Sequence, residues 1–134
     1  MEITVSKHEG DIPVTVLHLE GSLGAESEAQ LTGRAKSEQQ AGMRNAILDL
    51  SKVDFMSSAG LRGIHTIYSM LRNANTGESD EAVQEGIAAG TYKSPHLKLA
   101  GANDKVREVL TMTGYDMFLE MHKDVEAALK SFSA

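Results

Sequence analysis

Between Ile47 and Leu61 the chain reads ILDLSKVDFMSSAGL, an apolar strand that enters a tight polar turn and leaves it at once as a helix. Ala46, Ile47, Leu48 and Leu50 are almost continuous, so Asn45 to Leu50 is expected to be a central strand buried on both faces. Beyond the turn, Leu61, Ile64, Tyr68 and Leu71 recur at the spacing of an amphipathic helix. Ser57, Ser58, Ala59 and Gly60 therefore lie at or next to a helix N-terminus. The first backbone N–H groups there lack helical partners, and the helix dipole favours negative charge. A serine at this point can cap the helix. A phosphoserine would bring a charge of about −2 to a place suited to anions.

The flanking segments extend this strand–turn–helix unit in both directions. Ile3 and Val5 alternate with polar neighbours, predicting a first strand over Glu2 to Lys7. Gly10-Asp11 signals a turn, Pro13 is tolerated only at a strand start or edge, and Val14 to Leu19 suits a second strand that Gly21 ends. Ala25 to Gln40 favours helix, with Ala25, Ala29, Leu31 and Ala35 as apolar anchors and Gly33 as a weakness. Leu97, Leu99 and Ala100 supply another strand. Asn103 or Asp104 then caps a helix carrying Val106, Val109 and Leu110, with Gly114 as its stop. Met117 to Met121 reads as a short last strand, and Asp124 opens a final helix whose inward stripe is Val125, Ala128, Leu129 and Phe132. The order β-β-α-β-α-β-α-β-α predicts an α/β fold, a mixed sheet with an opening hairpin and parallel pairs joined by crossover helices.

At 134 residues the chain is expected to form one domain over 1–134. No apolar run approaches the roughly 20 residues needed to cross a bilayer, and the N-terminus lacks the pattern of a signal peptide. Cytoplasmic residence is the default expectation. A net charge of −6 without a dense basic run argues against direct nucleic-acid binding. The absence of cysteine removes disulfides, thiol catalysis and thiolate-bound zinc.

Asp49-Leu50-Ser51, Val53, Phe55-Met56 and Ser57-Ser58-Ala59-Gly60-Leu61 resemble the signature of STAS domains of the anti-sigma factor antagonist type. Weaker similarity runs from the Gly21-Ser22-Leu23 turn to the last helix. The resemblance implies a small mixed β-sheet with helices mainly on one side. It also implies that Ser58 is the serine phosphorylated by a partner anti-sigma factor serine kinase, and leaves room for a serine phosphatase that reverses the step. Ser57, Ser58, Ala59, Gly60, Leu61 and Arg62 would then meet the partner. Two positions depart from the pattern: Ser57 and Gly24 stand where acidic residues are usual, both near the phosphorylation site in the family arrangement. Those departures favour the alternative, a STAS scaffold module of a transport or signalling complex without a phosphoswitch. A third possibility, a carrier of a small ligand, would need a pocket.

Other chemistry finds little support in the sequence. A hydrolase elbow needs glycine two residues before the nucleophile, and Met56 holds that place relative to Ser58. His65 lies about two helical turns from Ser58, too far to act as its base. No enzyme activity is expected. The five histidines, His8, His18, His65, His96 and His122, are scattered singly without metal-ligand spacing, so neither metal nor any other cofactor is expected. His18 reads as a core-edge or surface residue. Glu78, Asp80, Glu81 and Glu85 lack the alternation of a calcium loop and read as a solvated face. Met112 and Met117 read as core or interface filler. The segment at about 73–96 exceeds an ordinary connection and reads as a tolerated surface insertion, with a partner contact as the sharper alternative; Ser79 could cap a short helix through Gln84.

Overall fold

Strands and helices alternate in the expected order among residues 1–10, 12–74 and 94–133, which the computed structural model describes. The elements are β1 (Glu2–Glu9), β2 (Pro13–Leu23), α1 (Ala25–Gln40), β3 (Ala46–Met56), α2 (Ser58–Ala74), β4 (Leu97–Ala100), α3 (Asp104–Met112), β5 (Glu120–His122) and α4 (Val125–Ser133). A 3₁₀ turn, Tyr115–Met117, precedes β5. The sheet order is β1-β2-β3-β4-β5. β1 pairs antiparallel with β2, and every later neighbour pairs parallel. The insertion and its expected short helix fall largely on 75–93, outside the described residues.

Side-chain alternation along the strands builds two unequal cores. Leu17, Leu19, Leu48, Leu50, Leu97 and Leu99 face one way and pack with Leu31 and Ala35 of α1, Leu61, Ile64, Ile67 and Leu71 of α2, and Val106 and Leu110 of α3. Each of these large side chains contributes roughly 1.5–3 kcal/mol by leaving water. The opposite face carries Val14, Val16, Ile47 and Ala100, covered by Ala128 and Phe132 of α4. Among the described residues, three helices thus cover one face and a single short helix covers part of the other.

Lys98 lies on that second face, only 5% exposed. Its ammonium donates to Ser131 Oγ at 2.7 Å, meets Glu120 at 3.3 Å and lies 4.3 Å from the Phe132 ring centroid. A buried charge must be paired and hydrogen-bonded. Here its partners come from β5 and α4, so the same contacts that satisfy the charge seat the last helix.

Several boundaries differ from the sequence reading, for identifiable reasons. β2 does not end at Gly21 but continues to Leu23, because Gly21, Ser22 and Leu23 still pair with Val53, Phe55 and Met56 after register shifts. β3 likewise runs on to Met56 beyond Leu50. Ala25 and Ala29 of α1 are exposed, and Ser27 points inward instead, its hydroxyl donating to the Ser22 carbonyl at 2.6 Å. The segment expected as a strand over Met117–Met121 divides into the 3₁₀ turn, a buried Leu119 and β5. Met112 and Met117 are exposed rather than core. The caps follow expectation. Asn103 Oδ1 accepts from the Val106 N–H at 2.8 Å, and Asp124 Oδ1 accepts from the Ala127 N–H at 2.8 Å. Gly114 takes a left-handed conformation (φ 82°) just past α3, which a side chain would disfavour.

Candidate functional site

Parallel neighbours β2 and β3 end side by side, so the helices that follow them start at one corner of the sheet. The Ser57 N–H donates to the Leu23 carbonyl at 3.0 Å, extending the β2–β3 ladder by one bond before the chain turns into α2. Gly24 is the N-cap of α1 and makes no side-chain cap. A Cβ on Gly24 would stand 3.7 Å from Ser57 Oγ. The two positions that depart from the family pattern are therefore neighbours in space. Positive ends of two helix dipoles meet at this corner.

The adjacent serines have different roles. Ser57 caps α2: its hydroxyl accepts from the Gly60 N–H at 3.4 Å and its carbonyl accepts from the Leu61 N–H at 3.0 Å. Ser58 opens the helix with an exposed side chain whose hydroxyl makes no hydrogen bond among the described residues. Its chemistry remains available to another molecule.

The other predicted contact residues divide sharply by burial. Ala59, Gly60 and Leu61 are buried, whereas Arg62 is exposed and reaches Glu28 of α1 at 3.4 Å. Gly60 has a steric role: a Cβ there would lie 2.5 Å from the Leu23 carbonyl oxygen and 2.8 Å from Leu23 Cγ. Only a residue without a side chain lets α2 start this close to β2. Leu61 is fixed from a further direction, since the Tyr115 hydroxyl donates to its carbonyl at 2.9 Å. Burial pushes the Tyr115 phenol above its ordinary value, so it remains a donor.

Phe55, part of the family signature but not among the expected contact residues, is 58% exposed beside this corner. It borders a groove of about 410 Å³ between the end of β3 and α3, lined also by Asp54, Lys105, Val106, Glu108 and Val109. The strand overhangs the core there, and the side chain faces solvent. His65 lies against Tyr68 and Phe118, with ring centroids 5.7 and 6.2 Å away.

The histidines are not all solitary. Ser6 Oγ lies 2.8 Å from His18 Nε2 and 3.3 Å from His8 Nε2, and His18 Nδ1 lies 2.7 Å from Asp49 Oδ2. The other Asp49 oxygen accepts from the Ser51 hydroxyl at 2.7 Å and the Ser51 N–H at 3.0 Å. Partial burial pushes the Asp49 carboxyl up, but the hydrogen bonds from Ser51 and His18 outweigh it and hold the group below its ordinary value. No local spacing announces this group, because its members come from three strands. Among the described residues, no three His, Cys, Asp or Glu side chains converge to hold a metal ion.

Residues 2–77, more than half of the chain, match the STAS domain, and the chain belongs to that family. BtrV of Bordetella bronchiseptica, named as a candidate anti-sigma factor antagonist, is 27% identical over 132 residues, covering 98% of this chain and 95% of BtrV. An anti-sigma factor antagonist from Mycobacterium paratuberculosis superposes with a TM-score of 0.71 at 18% identity, covering 99% of this chain and 96% of its own. The Bacillus cell fate determinant SpoIIAA in its phosphorylated form gives a TM-score of 0.60 at 16% identity, with 96% and 98% covered. At these identities the structural likeness is one of fold.

Proposed function

We propose that this STAS domain works by regulated protein binding, as an anti-sigma factor antagonist. Unphosphorylated, it docks an anti-sigma factor serine kinase through the corner around Ser58 and Arg62, while Ala59, Gly60 and Leu61 shape that corner from beneath. Phosphorylation of Ser58 puts charge and bulk into the contact and releases the partner, and a serine phosphatase resets it. The observation that carries this reading is the division of labour between the two serines. Ser57 satisfies the helix end, which leaves the Ser58 hydroxyl exposed and unused. The relative named as an antagonist supports it, as do SpoIIAA structures in both unphosphorylated and phosphorylated forms. The role belongs to the cytoplasm and involves neither nucleic acid nor catalysis at Ser58. Among the described residues no helix is long and apolar enough to cross a membrane.

The scaffold alternative draws on one observation, the meeting of Gly24 and Ser57 at the corner where acids are usual. Wild type and Ser58→Asp, used as baits in lysate of the native organism, separate the two readings. The switch predicts that wild type captures a histidine-kinase-like ATPase and that Ser58→Asp loses it by at least about thirtyfold in affinity, the scale of a central contact. Equal capture of the same partners by both baits, or capture of a transport component, would sink the switch in favour of the scaffold.

A further inference from the structure

The polar group on the second face of the sheet is arranged as a nucleophile, a base and an orienting acid. Thr4, His18 and Asp49 stand in one cross-strand row, with Ser6 two residues along β1 on the same face. Asp49 is ionised and accepts from His18 Nδ1, which fixes the imidazole proton on Nδ1 and turns the Nε2 lone pair toward the Ser6 hydroxyl. Ser51 holds the remaining carboxylate oxygen, so the acid is itself oriented. The Asp49 side chain is 16% exposed and the His18 side chain 35%, a base that is held in place and still reachable. α4 packs on Val14, Val16, Ile47 and Ala100, while Thr4 is exposed and Ser6, His18 and Asp49 are half-buried. A cleft of about 300 Å³ on the same face is lined by His18, Asp49, Thr4, Lys52, Glu2 and Glu20, and it meets the relay at His18 and Asp49 rather than at Ser6.

We propose that Ser6, His18 and Asp49 form a relay that makes Ser6 a nucleophile toward small activated acyl esters. The inference is independent of the phosphoswitch. Ser6 Oγ bonds to the acyl carbon as its proton passes to His18 Nε2. The bond to the leaving oxygen then breaks, and that oxygen takes the proton from His18. Water, deprotonated by the same nitrogen, attacks the acyl-serine, and Ser6 recovers its proton as the carboxylic acid departs. Ser6 and His18 are the catalytic residues, and Asp49 is a positioning residue.

The test treats the full chain with 4-nitrophenyl acetate and, separately, with a fluorophosphonate probe, and maps the adducts by peptide mass spectrometry. Mapping decides, because exposed lysines and histidines also react with the ester. The relay predicts a Ser6 adduct that disappears in Ser6→Ala and forms at least about tenfold more slowly in His18→Gln, the low end of what a general base contributes. Asp49→Asn should also alter the pH profile of Ser6 labelling, which a purely structural role would leave unchanged. An unlabelled Ser6, or labelling as fast in His18→Gln as in wild type, would overturn the proposal. Should Asp49→Asn fail to fold, Ser6→Ala and His18→Gln still decide, with circular dichroism establishing that both are folded. Partner capture reads Ser58 and labelling reads Ser6, so either proposal can fail without the other.

Discussion

Ser58 and Ser6 are serines of contrasting design on one small sheet. Ser58 stands at the end of the helix-packed core, exposed, its neighbour Ser57 having taken the capping role. Ser6 sits on the opposite face, half-buried, with an imidazole 2.8 Å from its oxygen and a carboxylate behind that. A kinase substrate needs access and needs no base of its own, since the kinase supplies one. A nucleophile needs a base held in register and sacrifices exposure to have it. Two neighbourhoods of one sheet thus leave their serine hydroxyls in different surroundings, one exposed and one against an imidazole.

Substitutions can break that contrast or sharpen it. Gly60→Ala should do the most damage, because its methyl would meet the Leu23 backbone and the corner cannot close around it. A loss of about 3 kcal/mol is expected in urea unfolding, the upper range for overpacking. Ser6 labelling should persist in whatever fraction stays folded, which would separate the two regions. Asp49→Asn should cost about 1–2 kcal/mol near neutrality through its charge-assisted hydrogen bonds. The Asp49 carboxyl is depressed in the folded state, so the native protein binds fewer protons than the unfolded chain in the acid range. That stability is present above the ordinary carboxylate pKa of about 4 and is lost as pH falls through the lower folded value. Urea midpoints of wild type and Asp49→Asn should therefore converge on acidification, and a gap that stays constant would contradict the assignment. Ser57→Ala should cost about 1 kcal/mol as a lost cap. Ser58→Ala should change thermal stability least, within about 0.5 kcal/mol, because its hydroxyl bonds to nothing described. A larger loss would mean that Ser58 carries structure as well as access.

What the sequence disclosed depended on how far apart the cooperating residues lie. The β3–turn–α2 unit is contiguous, so its strand, its serines and the stripe of Leu61, Ile64, Tyr68 and Leu71 were all legible, and all four stripe residues are buried. Strand order followed from alternation. Strand length did not, since β2 and β3 overhang the helices, and their last residues include Glu20, Ser22, Lys52 and Asp54 beside Leu23 and Met56. Polar composition hid pairing that the backbone makes regardless of side chain. α1 misled for a related reason: its apolar anchors are few, and Ser27 could turn inward once its hydroxyl found the Ser22 carbonyl. Ser6, His18 and Asp49 were illegible as a group. Each stands alone in sequence, and only the pairing of β1 with β2 and of β2 with β3 brings them together.

The spatial order of the strands repeats their order along the chain. Each new strand therefore lands beside the one made just before it, and none has to wait for, or be inserted between, segments not yet synthesised. A chain emerging N-terminus first can lay down the hairpin, then add β3, β4 and β5 to a growing margin. The margin narrows as it advances, from the 11 residues of β3 to the 4 of β4 and the 3 of β5. Assembly thus runs as a zipper with a short final tooth, and α4 is the clasp that arrives last.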